Sequence, residues 1–566
     1  MVNTSVFIHK PVRDDARFGP EMTEEALSRL LSLEFFQDLD PARLDALRDL
    51  LRRDARLVRY RKGDIVLREG DYGNTAYLIL SGSVCAVLDG LDPEILGRRK
   101  RVRKSFLQAL AQLWRNPRQP EVRDLTKYEG VSGVGARTGA EGQARIFLQD
   151  VPGVLETHRT AIMGSGEIFG EQAALARTPR SATVIATQDA EMLELRWQGL
   201  RDLRARAPRL REYVDKVYRE RVLAHLLSGV PIFRHLGDAD LLRLRDAIEF
   251  ETYGGFDWFV GYEALAREDT VKRLAREPII AEEGHYPNGL LLIRSGFARL
   301  STKSGNGHRT LSYLGKGQMY GLEELAHNWR HPDRAVPLLH TLRAVGYVDI
   351  LKVPTPIVEE FVLKRMKPED LPAPIDARET VRRTDEAPAI PTGMLEFLVD
   401  GRFMNGTATM VIDLDRCTRC DMCVVACAGT HEGNPRFLRN GPKYDHYMIA
   451  NACMHCADPV CMIGCPTGAI HRQPGGQVII NDATCIGCST CATNCPYHAI
   501  RMVPIRDADG HPVADEKTHA AIMKATKCDL CSDQVGGPAC HRACPHDALI
   551  RADMADLPKL SRWLER

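Results

Sequence analysis

Sixteen of the 17 cysteines lie between Cys417 and Cys544, in four groups of four. The first group is Cys417, Cys420, Cys423 and Cys427, and the third is Cys485, Cys488, Cys491 and Cys495 followed by Pro496; both read C-x2-C-x2-C-x3-C. The second, Cys453, Cys456, Cys461 and Cys465 before Pro466, and the fourth, Cys528, Cys531, Cys540 and Cys544 before Pro545, lengthen the gap after the second cysteine. Three closely spaced thiolates wind one loop around three corners of an iron–sulfur cubane, and the fourth reaches a different cluster. Groups of this kind work in pairs, so four groups imply two pairs and four [4Fe-4S] clusters. Zinc ribbons also use C-x2-C pairs, but they rarely add the third cysteine two residues on and the C-x3-C-P ending. Disulfides would not concentrate the cysteines at such short repeated spacings, and only Cys85 stands apart. No flavin or nicotinamide fingerprint, nucleophile–base pair or molybdenum site accompanies the groups, so this part reads as a wire, not a stand-alone catalyst. The histidines between them, such as His446, His455 and His498, read as supporting or surface residues rather than ligands.

A second constellation runs from Phe169 to Thr183: Gly170, Glu171, Gln172, Ala173, Ala174, Leu175, Ala176, Arg177, Thr178, Pro179, Arg180, Ser181, Ala182. A glycine turn, a carboxylate, backbone amides on a short helix and an arginine nine residues after the carboxylate can hold a ribose phosphate. The carboxylate takes a ribose hydroxyl and the arginine takes the phosphate.

Two resemblances follow. The run from Cys453 through Met454, His455, Cys456, Asp458, Pro459 and Cys461 to Cys465, Pro466, Thr467, Gly468 and Ala469, with Lys527, Cys528, Asp529, Leu530 and Cys531, resembles the iron–sulfur subunits of the dimethyl sulfoxide reductase superfamily. That resemblance spans about 410–551 and implies that groups one and four share two clusters and groups two and three the other two. Cys427 would then complete the cluster of Cys528, Cys531 and Cys540, and Cys544 that of Cys417, Cys420 and Cys423. Cys465 and Cys495 would be exchanged likewise. Ala428 departs from the proline of the other groups, a loop-shaping position and not a ligand. The second constellation resembles the phosphate-binding cassette of the cyclic nucleotide-binding domains of protein kinase regulatory subunits and catabolite activator protein. It implies that Glu171 binds the ribose 2′-hydroxyl, that Arg180 binds the cyclic phosphate of cyclic AMP or cyclic GMP, and that Gly170, Ala173 and Ala182 offer backbone amides, with Ser181 near phosphate or base.

The elements that must carry these residues repeat. Phe36, Leu39, Leu44 and Leu47 recur as Phe233, Leu236, Leu241 and Leu244 at a constant offset of 197. Glu69-Gly70 precedes Gly82 as Glu283-Gly284 precedes Gly296, with strand-like apolar runs between. A duplicated β-barrel results, with about 63 extra residues in the first copy, near 89–156. The insert carries a basic run, Arg98 to Lys104, read as a solvated loop, a short helix near Phe106 to Trp114, and a Gly-rich linker near 130–142. In the second copy Gly321 is followed by Glu323, shifted by one, and only Arg330 and Arg334 are candidates for the phosphate; that copy reads as degenerate. A helix is expected over about Leu210 to Leu226, and the proline-rich stretch 367–393 reads as a linker.

The fold class is multidomain α+β: a cyclic nucleotide-binding jelly-roll barrel over 25–228, a degenerate one over 229–366, and a ferredoxin-like polyferredoxin domain over 394–566. Lys plus Arg (76) balance Asp plus Glu (75), so no global field favours nucleic acid or a membrane. No apolar run is long enough for a membrane span and Met1 to Arg17 has no signal-peptide core, so a cytoplasmic chain is expected. The leading reading is an electron-transfer subunit relaying electrons to a catalytic oxidoreductase partner under cyclic nucleotide control. A cyclic nucleotide- and redox-responsive sensor is the alternative; a transcription regulator is disfavoured because no helix-turn-helix pattern follows the barrels.

Overall fold

A computed structural model of the chain describes residues 22–36, 39–89, 104–116, 120–123, 135–138, 144–147, 157–176, 178–223, 226–227, 230–254, 277–304, 307–367, 369–373, 390–473, 475–514 and 519–565, with isolated residues besides. Two compact units emerge: residues 1–207 with 405–556, and residues 208–404 with 557–566. They are not the contiguous stretches marked out by composition. The first barrel and the cysteine-rich module share one unit, and the helix Thr392–Asp400 belongs to the other.

In the first unit, Asp40 caps the helix Pro41–Asp54 by accepting from the Arg43 amide at 2.9 Å, and Pro41 sits where no intrahelical donor is needed. Two antiparallel four-stranded sheets follow. One runs in the order Ala55–Tyr60, Ala190–Arg196, Thr75–Ser81, Ile168–Phe169; the other runs Ile65–Leu67, Thr183–Ala186, Val84–Val87, Thr160–Met163. Val58 and Tyr60, Tyr77 and Ile79, Val84 and Ala86, and Ala190 and Met192 are each two apart, so each pair points to one face, and they meet in one core. Gly82 turns the chain from one sheet to the other at φ 82°, and a Cβ there would lie 2.3 Å from the Asp189 carbonyl oxygen. The helix Trp197–Arg206 returns against Pro41–Asp54, where Arg196 and Arg53 hold the buried Asp54.

The insertion in this barrel packs in part against the cysteine-rich module. The helix Phe106–Arg115 begins with a capping box of Ser105 and Gln108 and lies against the helix Met422–Thr430. Asn116 Nδ2 donates to the Gly429 carbonyl at 2.7 Å, Lys104 pairs with Asp533 at 3.0 Å, and Arg506 bridges to Val122, its N donating to the Glu121 carbonyl and its carbonyl accepting from Arg123 N. The insert therefore clasps the cysteine-rich module. Arg98 to Arg103 of the basic run, and most of the Gly-rich segment, lie outside the described residues; a short strand, Gly135–Thr138, pairs with Ala144–Phe147.

The cysteine-rich module has two layers of pairing. The strand Thr409–Asp413, just before group one, pairs with Leu549–Ala552, just after group four. The helix Met422–Thr430 of group one packs on Ala539–Arg542 of group four. Between them, Ile470–Arg472 pairs with Val478–Ile480, and Arg501–Pro504 pairs with Met523–Thr526. Chain ends of the module are thus tied together around the middle groups.

The second unit repeats the first barrel's order: the short helix Pro231–Phe233 and the helix Asp238–Ala247 answer Glu34–Phe36 and Pro41–Asp54. The expected helix near 210–226 forms as Pro208–Tyr218 with a π-helical turn at Arg219–Leu223. Its long strands Gly289–Ser304 and Thr341–Pro354 pair with register shifts at Ser295, beside Gly296 at φ 88°. Fully buried Arg299 donates to both oxygens of Glu277 at 2.8 and 2.9 Å and also holds Glu396 of the helix Thr392–Asp400. Removing one member of such a group strands the other charges in a low dielectric. Arg299→Leu is expected to destabilise this unit by about 3–5 kcal/mol. Denaturant unfolding monitored by tryptophan fluorescence measures this, and a loss below about 1 kcal/mol would show the pairing to be incidental.

Candidate metal centre and nucleotide site

The four cysteine loops share one backbone device. The second residue after the leading cysteine has positive φ in every group: Arg419 at 61°, His455 at 52°, Gly487 at 73° and Leu530 at 58°. Three of these are not glycine, and the left-handed conformation costs each roughly 1–2 kcal/mol. At Gly487 a Cβ would lie 2.2 Å from the Met523 carbonyl oxygen, so that group has no alternative to glycine. In groups one and three Asp421 and Ser489 repeat the conformation two residues later, at 58° and 62°. These kinks curl each loop so that its thiols converge.

In groups one, two and three the fourth cysteine lies with another group. Cys453, Cys456, Cys461 and Cys495 line one cavity, and Cys465, Cys485, Cys488 and Cys491 line a second. Cys427 is raised by burial, and the thiols that raise it further are Cys528, Cys540 and Cys531. Cys544 belongs to one apolar cluster with Cys417, Cys423, Cys427 and Cys540. Burial and then Cys540 and Cys417 push the Cys423 thiol up to about 11, and Cys491 rises to about 12 through burial and then Cys465, Cys485 and Cys488. So many buried thiols cannot ionise together unless a cation shares their charge.

The surroundings suit thiolate-bound iron. Backbone amides point at sulfur: Arg436 N at 3.2 Å from Cys427, Ala548 N at 3.3 Å from Cys544 and Ala539 N at 3.5 Å from Cys531. Two cations sit between groups two and four. Lys527 Nζ lies 3.3 Å from Cys453 Sγ, and Arg551 Nη2 lies 3.2 Å from Cys528 Sγ while its Nη1 donates to the Cys453 carbonyl at 3.2 Å. Burial alone would raise Cys453, but His455 and Lys527 overcome it and hold the thiol well below its usual range. His455 is buried and accepts from the Val478 amide at 3.0 Å, whereas His446 packs beside Tyr447. His431, not singled out by spacing, meets the Cys427 carbonyl at 2.8 Å and Asp529 at 2.9 Å.

In the first barrel Gly170, at φ 75°, starts the helix Glu171–Ala176, and Arg180 reaches back across it. Arg180 is 5% exposed; it donates to the Gly170 carbonyl at 2.8 Å and to Thr75 Oγ1 at 3.2 Å, and no carboxylate among the described residues pairs with it. Burial lowers its pKa despite Tyr77, Glu194, Asp71 and Glu171 nearby. Glu171 and Ala173 are buried with it. Ser181 instead faces outward and donates to Gln172 Oε1 at 3.3 Å, and Ala182 packs on the barrel core. Gly73 carries no motif that would single it out, yet a Cβ there would lie 2.1 Å from Arg180 Nε, so the guanidinium lies in the space that side chain would fill.

The second barrel shows what replaces that arginine. In the first, Gly70 N donates to the Arg180 carbonyl, Arg180 N to Asp71, and Glu69 N to Thr183 Oγ1; in the second, Gly284 N donates to Leu338, Leu338 N to His285, and Glu283 N to Thr341 Oγ1. Leu338 is therefore the positional equivalent of Arg180. Arg330 donates to the Pro372 carbonyl at 2.6 Å and Arg334 lies in a short 3-10 turn, so neither candidate occupies the place that the arginine holds in the first copy. A cavity of about 370 Å³ opens at Leu338, bordered by Glu251, His285 and Tyr320, with an apolar side chain where the first copy has its cation.

Comparison with known proteins finds relatives for the module and the barrel that carry these residues. The 4Fe-4S dicluster domain model matches residues 444–554, and the cyclic nucleotide-binding domain model matches residues 140–207. Electron transport protein HydN of Escherichia coli (strain K12) is 35% identical over 162 residues, 27% of this chain and 91% of that protein. The B subunit of the anaerobic dimethyl sulfoxide reductase of Haemophilus influenzae is 36% identical over 166 residues, 26% of this chain and 73% of that protein. Among solved structures, the regulatory domain of Toxoplasma gondii PKA with cAMP is 15% identical, with 60% of this chain and 94% of that one covered at a TM-score of 0.20, too low to argue from. By its iron–sulfur module this protein belongs to the 4Fe-4S dicluster family that includes HydN and the B subunits of dimethyl sulfoxide reductases, here joined to a cyclic nucleotide-binding domain.

Proposed function

We propose that this protein is a cytoplasmic relay that passes single electrons through four [4Fe-4S] clusters to or from a catalytic oxidoreductase partner, and that cyclic AMP or cyclic GMP in the first barrel regulates it. The observation that supports the relay is that Cys495 and Cys465 each line the cavity of the other's group and that Cys427 lies near Cys528, Cys540 and Cys531, all within one module. Groups one and four would hold two clusters through Cys417, Cys420, Cys423 and Cys544 and through Cys528, Cys531, Cys540 and Cys427. Groups two and three would hold the others. Bound there, the clusters supply one-electron carriers. The chain's own residues do the rest: apolar walls exclude water, amides and cations stabilise the more negative state, and the reducing cytoplasm keeps so many thiols free.

Lys527 and Arg551 sit where charge would pass between the two cluster pairs. A cation at thiolate favours the reduced state, so its loss lowers the potential. Lys527→Met is expected to lower the potential of one cluster by on the order of 60 mV, the one-electron equivalent of a tenfold change. Electron paramagnetic resonance during a redox titration reads this directly; an unchanged set of potentials would remove Lys527 from the account.

For the nucleotide, support comes from a buried guanidinium that donates to neutral acceptors beside a glycine turn. A phosphate would give that charge a partner. Arg180→Ala removes a charge-assisted contact worth roughly 1.5–3 kcal/mol, so cyclic AMP affinity should fall at least about tenfold with iron content unchanged. Gly73→Ala, which pushes the guanidinium aside, should have the same sign. Calorimetry with cyclic AMP and cyclic GMP decides: one site per chain is expected, silence with both nucleotides would reduce the barrel to a scaffold, and a second equal site would contradict the reading of Leu338.

A further inference from the structure

Residues 68–74, between the strands Ile65–Leu67 and Thr75–Ser81, face two ways. Toward the nucleotide site, Gly70 N donates to the Arg180 carbonyl at 2.7 Å and Asp71 O accepts from Arg180 N at 2.8 Å. Tyr72 bridges to Pro179, and Gly73 provides the floor under the guanidinium. Toward the cysteine-rich module, Tyr72 is 4% exposed, donates its hydroxyl to Asp458 and packs with Cys453, Met462 and Cys495. Arg68 donates to the Pro466 carbonyl at 2.7 Å and is braced by Asp71 at 3.2 Å. Gly468, at φ 64°, presents its bare Cα side to that guanidinium: a Cβ would lie 3.0 Å from Arg68 Nη1.

The two anchoring points are not neutral places. Asp458 lies between Cys456 and Cys461 and lines the cavity of Cys453 and Cys495. Pro466 follows Cys465, which lines the cavity of Cys485, Cys488 and Cys491. Both quartets of groups two and three are therefore touched, through one loop, by the segment that also positions Arg180.

We propose that the loop 68–74 couples anion binding at Arg180 to the redox state of the quartets of groups two and three. The inference rests on the nucleotide reading above and names how that site regulates. Reduction adds one electron, and so one negative charge, on one side of the loop; a cyclic nucleotide adds one negative charge on the other. Like charges across a poorly solvated protein segment repel. The bonds to both sides are borne by the same short loop, so Arg68 and Tyr72 transmit whatever shift the charge on either side produces. Thermodynamic linkage makes the effect reciprocal: nucleotide lowers the potential by the same factor by which reduction weakens nucleotide binding.

The test uses the full-length, cluster-loaded chain under argon. Cyclic AMP affinity is measured by equilibrium dialysis on the oxidised protein and on protein reduced with dithionite and desalted, for the parent, Tyr72→Phe and Arg68→Gln, with iron content checked in each. Reduced parent protein is expected to bind at least about threefold more weakly, equivalent to about 28 mV for a one-electron couple. That ratio should move toward one in either variant, both of which should still bind. Equal affinity in the two redox states of the parent would overturn the coupling and leave the nucleotide reading standing. A ratio that survives unchanged in both variants would overturn the assignment to this loop. Absence of binding in either state would overturn the nucleotide reading and the coupling with it.

Discussion

Buried thiols of one cysteine group meet the fourth cysteine of another, and the rest of the module is arranged around that meeting. Cys427 must travel with Cys528, Cys531 and Cys540, and Cys495 with Cys453, Cys456 and Cys461. Groups two and three follow one another in sequence, but groups one and four lie on either side of them and must be brought together by the fold. The pairing of Thr409–Asp413 with Leu549–Ala552 and the contact of helix Met422–Thr430 with Ala539–Arg542 are consequences of that demand. Left-handed residues in every cysteine loop carry an energetic penalty that the bare chain has no reason to accept, and converging thiols repel when ionised. Metal binding would offset both, and assembly of the clusters and folding of this module would then be one process.

The first barrel is built into the same unit rather than appended to it. Its insertion clasps the module through Asn116, Lys104 and Arg123, and its loop 68–74 buries Tyr72 among residues that surround Cys453 and Cys495. A buried arginine that no described carboxylate pairs with is uncommon in a fold; Arg180 is held open by two positions, Gly73 and Gly170, where a Cβ would crowd its guanidinium. The second copy fills the same position with Leu338 and has no such charge to satisfy there.

Much of this is legible in spacing. The cysteine groups, the phosphate cassette and the paired Glu-Gly landmarks involve short, fixed distances that local geometry enforces. Arg180's counterpart is harder to place because the second copy has a longer helix, Leu322–Arg330, and a longer path to its next strand, so counting forward from Gly321 ends on Arg330 or Arg334. Counting back from Thr341, whose hydroxyl accepts from Glu283 as Thr183 does from Glu69, reaches Leu338. Gly73 carries no signal of its own, since its importance lies in a side chain more than 100 positions away. The clasp made by the insert is equally silent: its contacts are single polar atoms meeting backbone carbonyls, with no pattern in composition. The compact units also cut across the linear order, because tertiary contacts, not linker composition, decide what packs with what.

Sixteen grouped thiols are proposed to hold four cubane clusters in one relay. Mössbauer spectroscopy combined with iron and sulfide analysis on anaerobically prepared protein tests it most directly. About sixteen irons and sixteen sulfides per chain, all in four-iron clusters that accept one electron each, are expected. Iron near eight together with stoichiometric zinc would contradict the account.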